Sequence, residues 1–161
     1  MERKATKAVV GRPDPPRILH GDIHMARFAV EFEVANNGDL VEVERGHRKA
    51  SAVRRARIMG IVGPDALRLI LPSSLVKQIG LVRRGKTRVK YADGRTAWRE
   101  EVPGVWVSLE GRESVYSAIA EPKRTTALTG AILLEDRDFL VDCKAQKLIP
   151  RDPRGIVSEA E

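Results

Sequence analysis

The stretch "IVGPDALRLILPSSLVKQIGL", Ile61 to Leu81, decides how the rest of the chain is read. Its centre, "ALRLILP", reads as a buried strand closed by Pro72, which supplies no N–H to continue a ladder. A short helix follows. Ser73 or Ser74 is placed to cap it, Leu75, Val76 and Ile79 form its apolar side, and Gly80 supplies a left-handed stop. Before the strand lies Gly63-Pro64-Asp65, a run whose backbone demands are those of a tight loop.

Working outward, the upstream chain holds a strong strand signal in "MARFAVEFEVANNG". Phe28, Val30, Phe32 and Val34 alternate there with Ala29, Glu31, Glu33 and Ala35. Asn36-Asn37-Gly38 is a turn signal. Asp39 to Ala52 is charged and fits either a protruding hairpin or a short helical excursion, and extended character returns through "RRARIMGIV". Residues 1–24 hold "GRPDPPR", with four prolines or glycines in the six positions from Gly11, and read as a flexible extension. Met25 is an alternative start.

Downstream, "KTRVKYADGRTAWREEV" predicts a hairpin turning at Asp93-Gly94, and "VWVSLEGRESVYSAIA" a second one turning at Gly111-Arg112. In "TALTGAILLEDRDFLVD" a small-residue loop at Thr129-Gly130 leads into a helix from about Ala131 to Asp136 and a strand from Phe139 to Val141. Lys147 to Pro150 makes a last strand, and 155–161 is a polar tail. Many short strands, hairpins and one or two short helices predict an all-β chain folded as a small closed barrel.

Composition sets the outer bounds. The chain has 161 residues, 42% hydrophobic and 32% charged, enough for one globular domain with its own core. No apolar run approaches the ~20 residues that span a bilayer, so no membrane partner is expected. Without a leader-like apolar segment, the expected location is the cytoplasm. The single cysteine, Cys143, excludes an internal disulfide and fits a reducing compartment. Three histidines (His20, His24, His47) and one cysteine do not readily build a zinc site.

The net charge of +7 raises nucleic acid as a partner. Basic residues gather at Arg54-Arg55-Arg57 and at Arg83-Arg84-Lys86-Arg88-Lys90. Arg88 and Lys90 alternate with Val89 and Tyr91, as outward residues of a strand do, which favours a solvated face. With 4% aromatics there is no stacking platform for single strands. The pairs Glu31/Glu33 and Glu42/Glu44 read as solvent faces of strands. Glu135, Asp136 and Asp138 read as surface acids, and Trp98 and Trp106 as packing residues of the barrel or a dimer.

Taken in order, these segments resemble the retropepsin-like aspartic peptidases, specifically the cellular single-domain members found in bacteria. In that family a strand runs into a Val-Asp-Thr/Ser-Gly-Ala loop, then a strand ending in Leu-Pro, then a short helix ending in Gly-Leu. Here Val62 and Ala66 fall on the flanking positions, and Asp-Thr-Gly falls on Gly63, Pro64 and Asp65. "YADGRTA" is similar to the flap hairpin over the substrate, which places Tyr91, Ala92, Asp93, Gly94, Arg95 and Thr96 in the flap. Leu128, Thr129 and Gly130 look like the second signature before a helix, with Thr129 where an aliphatic residue is usual. "KLIPRDPR" is similar to the strand that closes the family barrel, so the resemblance spans residues 25–154.

The resemblance implies a homodimer that binds an extended peptide and hydrolyses it with a water activated by two aspartates sharing one proton. It implies neither metal nor organic cofactor. At the altered loop, Gly63 offers no carboxylate, Pro64 has neither hydroxyl nor N–H, and Asp65 puts a charge where glycine is expected. Asp65 is then the only candidate catalytic acid, two positions from the family's. The alternatives are a barrel retained for dimerisation or peptide binding, with Val62 to Ala66 as its floor, and an assignment to another family. One such family is the swapped-hairpin bacterial transcription regulators, basic DNA-binding dimers that "LRLILPSSLVKQIGLVRRGK" also resembles.

Overall fold

The computed structural model describes residues 27–63 and 66–160. The expectations for the 1–24 extension, for Pro64 and for Asp65 fall outside the described residues, apart from what their sequence says. The elements are β1 (Phe28–Asn36), α1 (Asn37–Glu44), a 3-10 turn (Ala50–Ala52), β2 (Arg55–Val62), β3 (Leu69–Pro72), α2 (Ser73–Gln78) and β4 (Lys86–Lys90). There follow β5 (Thr96–Leu109), β6 (Arg112–Glu121), β7 (Ala127–Leu128), α3 (Gly130–Asp136), β8 (Phe139–Asp142) and β9 (Lys147–Pro150). The expected mostly-β architecture is what forms, with three short α-helices instead of one or two.

The sheet order β1-β2-β7-β3-β6-β5 closes on itself because β1 also pairs with β5, giving a six-stranded barrel. β1 lies antiparallel to β2 from Phe28↔Val62 to Ala35↔Arg55, while its last residues meet β5 through Glu33↔Ser108 to Asn36↔Val105. Being paired on both edges explains why the alternation of β1 ends in a run of buried residues, Val34, Ala35 and Asn36. Its outer Glu31 and Glu33 meet Arg57 and Arg55 on β2 at 3.4 and 3.2 Å, surface pairs worth about 0–1 kcal/mol each.

All four residues of β3 are buried, because it is hydrogen-bonded to β6 on one side and β7 on the other. Leu71, Val76, Ile79, Val102, Val105, Val107, Leu109, Ala118 and Leu133 fill the barrel with Phe32 and Val34. The "LRLILPSSLVKQIGL" run is therefore a central strand and its helix, paired inside the barrel with β6 and β7. Gly80 has φ +67° and ends α2 as expected. The serines do not cap it. Pro72 occupies the cap position with no side-chain hydrogen bond, and Ser73 is already helical.

Other local expectations are corrected by long-range partners. Asn36-Asn37-Gly38 starts a helix instead of turning a hairpin. The Asn36 side chain accepts from the Asp39 N–H at 3.2 Å and donates to the Ile79 and Gly80 carbonyls at 2.9 and 3.0 Å, serving two helix ends at once. The ambiguous 39–52 segment is thus α1 and the 3-10 turn, and Glu42 and Glu44 lie on a helix. The second hairpin turns one residue earlier than expected: Leu109 pairs with Arg112, and Glu110 and Gly111 both have positive φ. The first hairpin uses a longer loop, closed by the Tyr91 N–H to the Arg95 carbonyl at 2.8 Å.

The final strand does not close the barrel. β9 pairs only with β8, in a separate two-stranded sheet. Arg112 holds that unit against the barrel. Its guanidinium donates to the carbonyls of Arg137 (2.8 Å), Asp138 (3.1 Å) and Asp152 (2.6 Å) and lies over the Phe139 ring. Neither tryptophan is a core residue: Trp98 is 63% exposed, and Trp106 is half-buried with its indole N–H on Glu113. Asp138, read as a surface acid, is buried and pairs with Arg151 at 2.7 Å.

Candidate functional site

The loop that follows β2 is anchored at both ends. On its upstream side β2 runs parallel to β7, with Gly60 opposite Ala127 and Ile61 opposite Leu128. The Thr129 N–H and hydroxyl both donate to the Ile61 carbonyl, at 3.1 and 3.5 Å, so the side chain that departs from the aliphatic pattern is satisfied although fully buried. On its downstream side the first turn of α3 grips the chain: Ala131 N–H donates to the Ala66 carbonyl at 2.8 Å and Ile132 N–H to the Leu67 carbonyl at 3.0 Å. These are helix N-terminal donors that have no partner within the helix itself.

Gly130 makes this grip possible. Its φ is +70°, and a Cβ there would lie 2.4 Å from the Arg68 carbonyl oxygen and 2.9 Å from that of Leu67. Only glycine permits both the backbone conformation and the approach. Leu128 and Thr129 thus meet Ile61 at the upstream end of the loop, and Gly130 lies against Leu67 and Arg68 at its downstream end.

Between this loop and the β4–β5 hairpin lies a cleft of about 660 Å³. Its apolar floor is Ala66, Leu67, Ile70, Ile119 and Leu128, and its far wall is the strand Thr87 to Ala92. Val62 and Gly63 are buried behind the floor. Of the residues expected in a flap, Tyr91 and Ala92 line the cleft, while Asp93, Gly94, Arg95 and Thr96 form the exposed hairpin tip. Asp93 accepts from the Arg95 backbone and guanidinium there, which depresses its pKa and stiffens the tip.

The hairpin stands over the cleft because β5 changes partners along its length. Residues 96–100 pair with β4, residues 101–102 and 105–109 with β6, and residues 105–108 with β1 as well, and the register against β6 shifts between Val102 and Val105. Pro103 and Gly104 occupy that bulge; Pro103 has no N–H to leave unpaired, and Gly104 has φ +73°. One edge of β4 is bonded to β5, and its other edge pairs with no strand among the described residues.

A polar cluster ties the hairpin base to the barrel. Glu121, buried at the end of β6, accepts from the Tyr91 hydroxyl and from Arg99 Nε at 2.9 Å. Arg95 and Arg99 lie 5.4 and 5.8 Å from the Tyr91 ring centroid. Burial, then the Glu121 hydrogen bond, raises the Tyr91 pKa, with Arg99 opposing, so the phenol stays protonated and donates. Arg68 pairs with Glu101 at 2.7 Å across the cleft entrance. Arg124 bonds to Thr126 through Nε at 2.9 Å and Nη2 at 3.2 Å, and burial lowers its pKa. Glu121, Arg99 and Arg124 were not singled out by the sequence; an acid closing the apolar run "SAIAEP" was the available signal.

The barrel is similar in fold to EIAV protease, a retropepsin, solved in complex with the inhibitor HBY-793. Identity is 17% and the TM-score 0.41, over 50% of this chain and 76% of that one. No protein-family model matches the chain, and no curated protein matches it. Among the described residues no group of three or more His, Cys, Asp or Glu is placed to hold a metal ion, and no helix is long and apolar enough to cross a membrane.

Proposed function

We propose that this chain binds extended polypeptide in the cleft beneath the β4–β5 hairpin, as a homodimer built on the retropepsin plan, and that it does not hydrolyse what it binds. The observation that carries the reading is the cleft itself. It joins an apolar floor to an unpaired strand edge on β4, within the range of about 300–1,000 Å³ usual for ligand sites. A peptide laid along that edge gains main-chain hydrogen bonds from β4 and places alternate side chains on the floor.

Gly63 stands where the family carries its acid, and it is buried with no side chain to offer. The chain between Gly63 and Ala66 has two residues, and the Ala66 end is fixed to α3. Asp65 is the only carboxylate in that loop, two positions beyond the family's place for one. A shared pair of aspartates needs both carboxyl groups close together at a two-fold axis. Ile132, exposed beside the loop–helix junction, offers apolar surface for a second copy to cover.

The test is incubation of the dimer with a peptide library from acidic to neutral pH, beside Asp65→Asn, read by mass spectrometry and by retention of bound peptides. Peptides are expected to be retained equally by both proteins and recovered intact. Cleavage that disappears in Asp65→Asn would replace this reading with a peptidase whose acid has moved to Asp65. Retention of no peptide at all would remove the binding role.

A further inference from the structure

The cleft has a charge pattern that the floor alone does not explain. Arg88 and Lys90 are exposed on β4 at its wall, and neither meets a carboxylate among the described residues. Arg124 contributes a third cation, hydrogen-bonded to Thr126 instead of to an acid. The acids nearby are already engaged: Glu121 by Arg99 and Tyr91, Glu101 by Arg68. Among the described residues, Arg88 and Lys90 therefore keep positive charge that no carboxylate of the cleft neutralises.

We infer that the ligand is an extended segment whose acidic side chains alternate with apolar ones. The inference rests on the peptide-binding reading above and narrows it to a substrate class. Arg88 and Lys90 share one face of β4, about 6.8 Å apart along the strand, while Thr87 and Val89 face the other way and are half-buried. A strand added to the free edge of β4 repeats this alternation. Acids at every second position then meet Arg88 and Lys90, and the residues between them fall on Val89 and the floor of Leu67, Ile70 and Ile119.

A peptide fits this site better than a nucleic acid. Tyr91 is the one aromatic side chain among the described lining residues; its hydroxyl is engaged by Glu121, and Arg95 and Arg99 lie 5.4 and 5.8 Å from its ring centroid, so it competes poorly as a stacking platform. The apolar floor and the main-chain edge have no counterpart in a sugar–phosphate backbone.

The experiment measures fluorescence anisotropy of short labelled peptides in which Glu, Gln or Lys alternates with Val, and of a labelled single-stranded oligonucleotide. The Glu peptide is expected to bind about tenfold more tightly than the Gln peptide at low salt, with the Lys peptide weakest. The differences should shrink as salt is raised. The double variant Arg88→Gln, Lys90→Gln is expected to flatten the order, and Arg88→Glu, Lys90→Glu to reverse it. Both positions are exposed, and circular dichroism checks that the barrel is retained. Equal binding of the Glu and Gln peptides would overturn the acidic preference while leaving peptide binding in place. Failure of all three peptides would overturn both, and an oligonucleotide bound more tightly than the Glu peptide would overturn the inference in favour of nucleic acid.

Discussion

Gly130→Ala is expected to destabilise the protein by about 3–5 kcal/mol. Two costs combine. The residue holds φ +70°, where an L side chain is strained by about 1 kcal/mol. The added Cβ would also lie 2.4 Å from the Arg68 carbonyl oxygen, a backbone atom that cannot rotate away. Relief requires α3 to separate from the loop, which breaks the hydrogen bonds from Ala131 to Ala66 and from Ile132 to Leu67. Gly94→Ala supplies the comparison, since φ is +89° there but nothing lies within 4 Å of the added atom. That variant should lose only about 1 kcal/mol. Urea denaturation at constant m-value measures both; equal losses would show that the contact with Arg68 is not what makes glycine necessary.

The second large effect belongs to Asp39. Its carboxylate is 3% exposed and accepts from the Arg54 backbone N–H, from Arg54 Nε and from Arg54 Nη2, each at 2.9 Å, with Arg48 at 3.4 Å. The Arg54 side-chain bonds depress its pKa to about 2, against the opposing effect of burial. A carboxyl whose pKa is lower in the folded chain stabilises it above the unfolded value of 3.8, and that stabilisation disappears as pH falls through about 2. The shift corresponds to roughly 2 kcal/mol at neutral pH. Asp39→Asn should therefore cost about 2–3 kcal/mol at pH 7 and progressively less between pH 4 and pH 2. Denaturation curves at pH 7, 4 and 2 test this. A difference that does not change with pH would mean that packing, not the ion pair, holds α1 to the start of β2.

The parts of the fold that were legible in the sequence are those decided within a few residues. The four apolar positions of Leu69–Pro72 could only be a buried strand, and Gly80 after Leu75, Val76 and Ile79 could only end a helix. Asn36 was misread because a turn and a helix cap use the same residue types; the choice is made by the Ile79 and Gly80 carbonyls, 43 and 44 residues away. The serines after Pro72 carry a capping sequence without a capping bond for a related reason, since the helix begins directly from a buried strand. The last strand has an ordinary alternating pattern that suits either the barrel or a separate hairpin, and its partner β8 is set by the turn between them.

The candidate site divides in the same way. Leu128-Thr129-Gly130 and the loop from Val62 to Ala66 were each visible in the sequence, but not that Thr129 and α3 bond to the backbone of Ile61, Ala66 and Leu67 at the two ends of that loop. The tie between Tyr91, Arg99 and Glu121 was not, because it joins the ends of three strands and no spacing announces it. The basic run through Arg88 and Lys90 was visible, but its meaning was not. Arg88 and Lys90 are exposed, as a solvated strand face requires, and the sequence did not show that this strand also borders the cleft.

Occupation of the cleft beneath the hairpin by an extended polypeptide can be observed residue by residue. The most direct measurement is an amide chemical-shift titration of the isotope-labelled protein with the Glu-Val and Gln-Val peptides. Saturable changes are expected, concentrated on Thr87 to Ala92, Ala66 to Ile70 and Ile119 to Glu121. Changes confined to β8 and β9, or none along Thr87 to Ala92 with either peptide, would contradict occupation of the cleft.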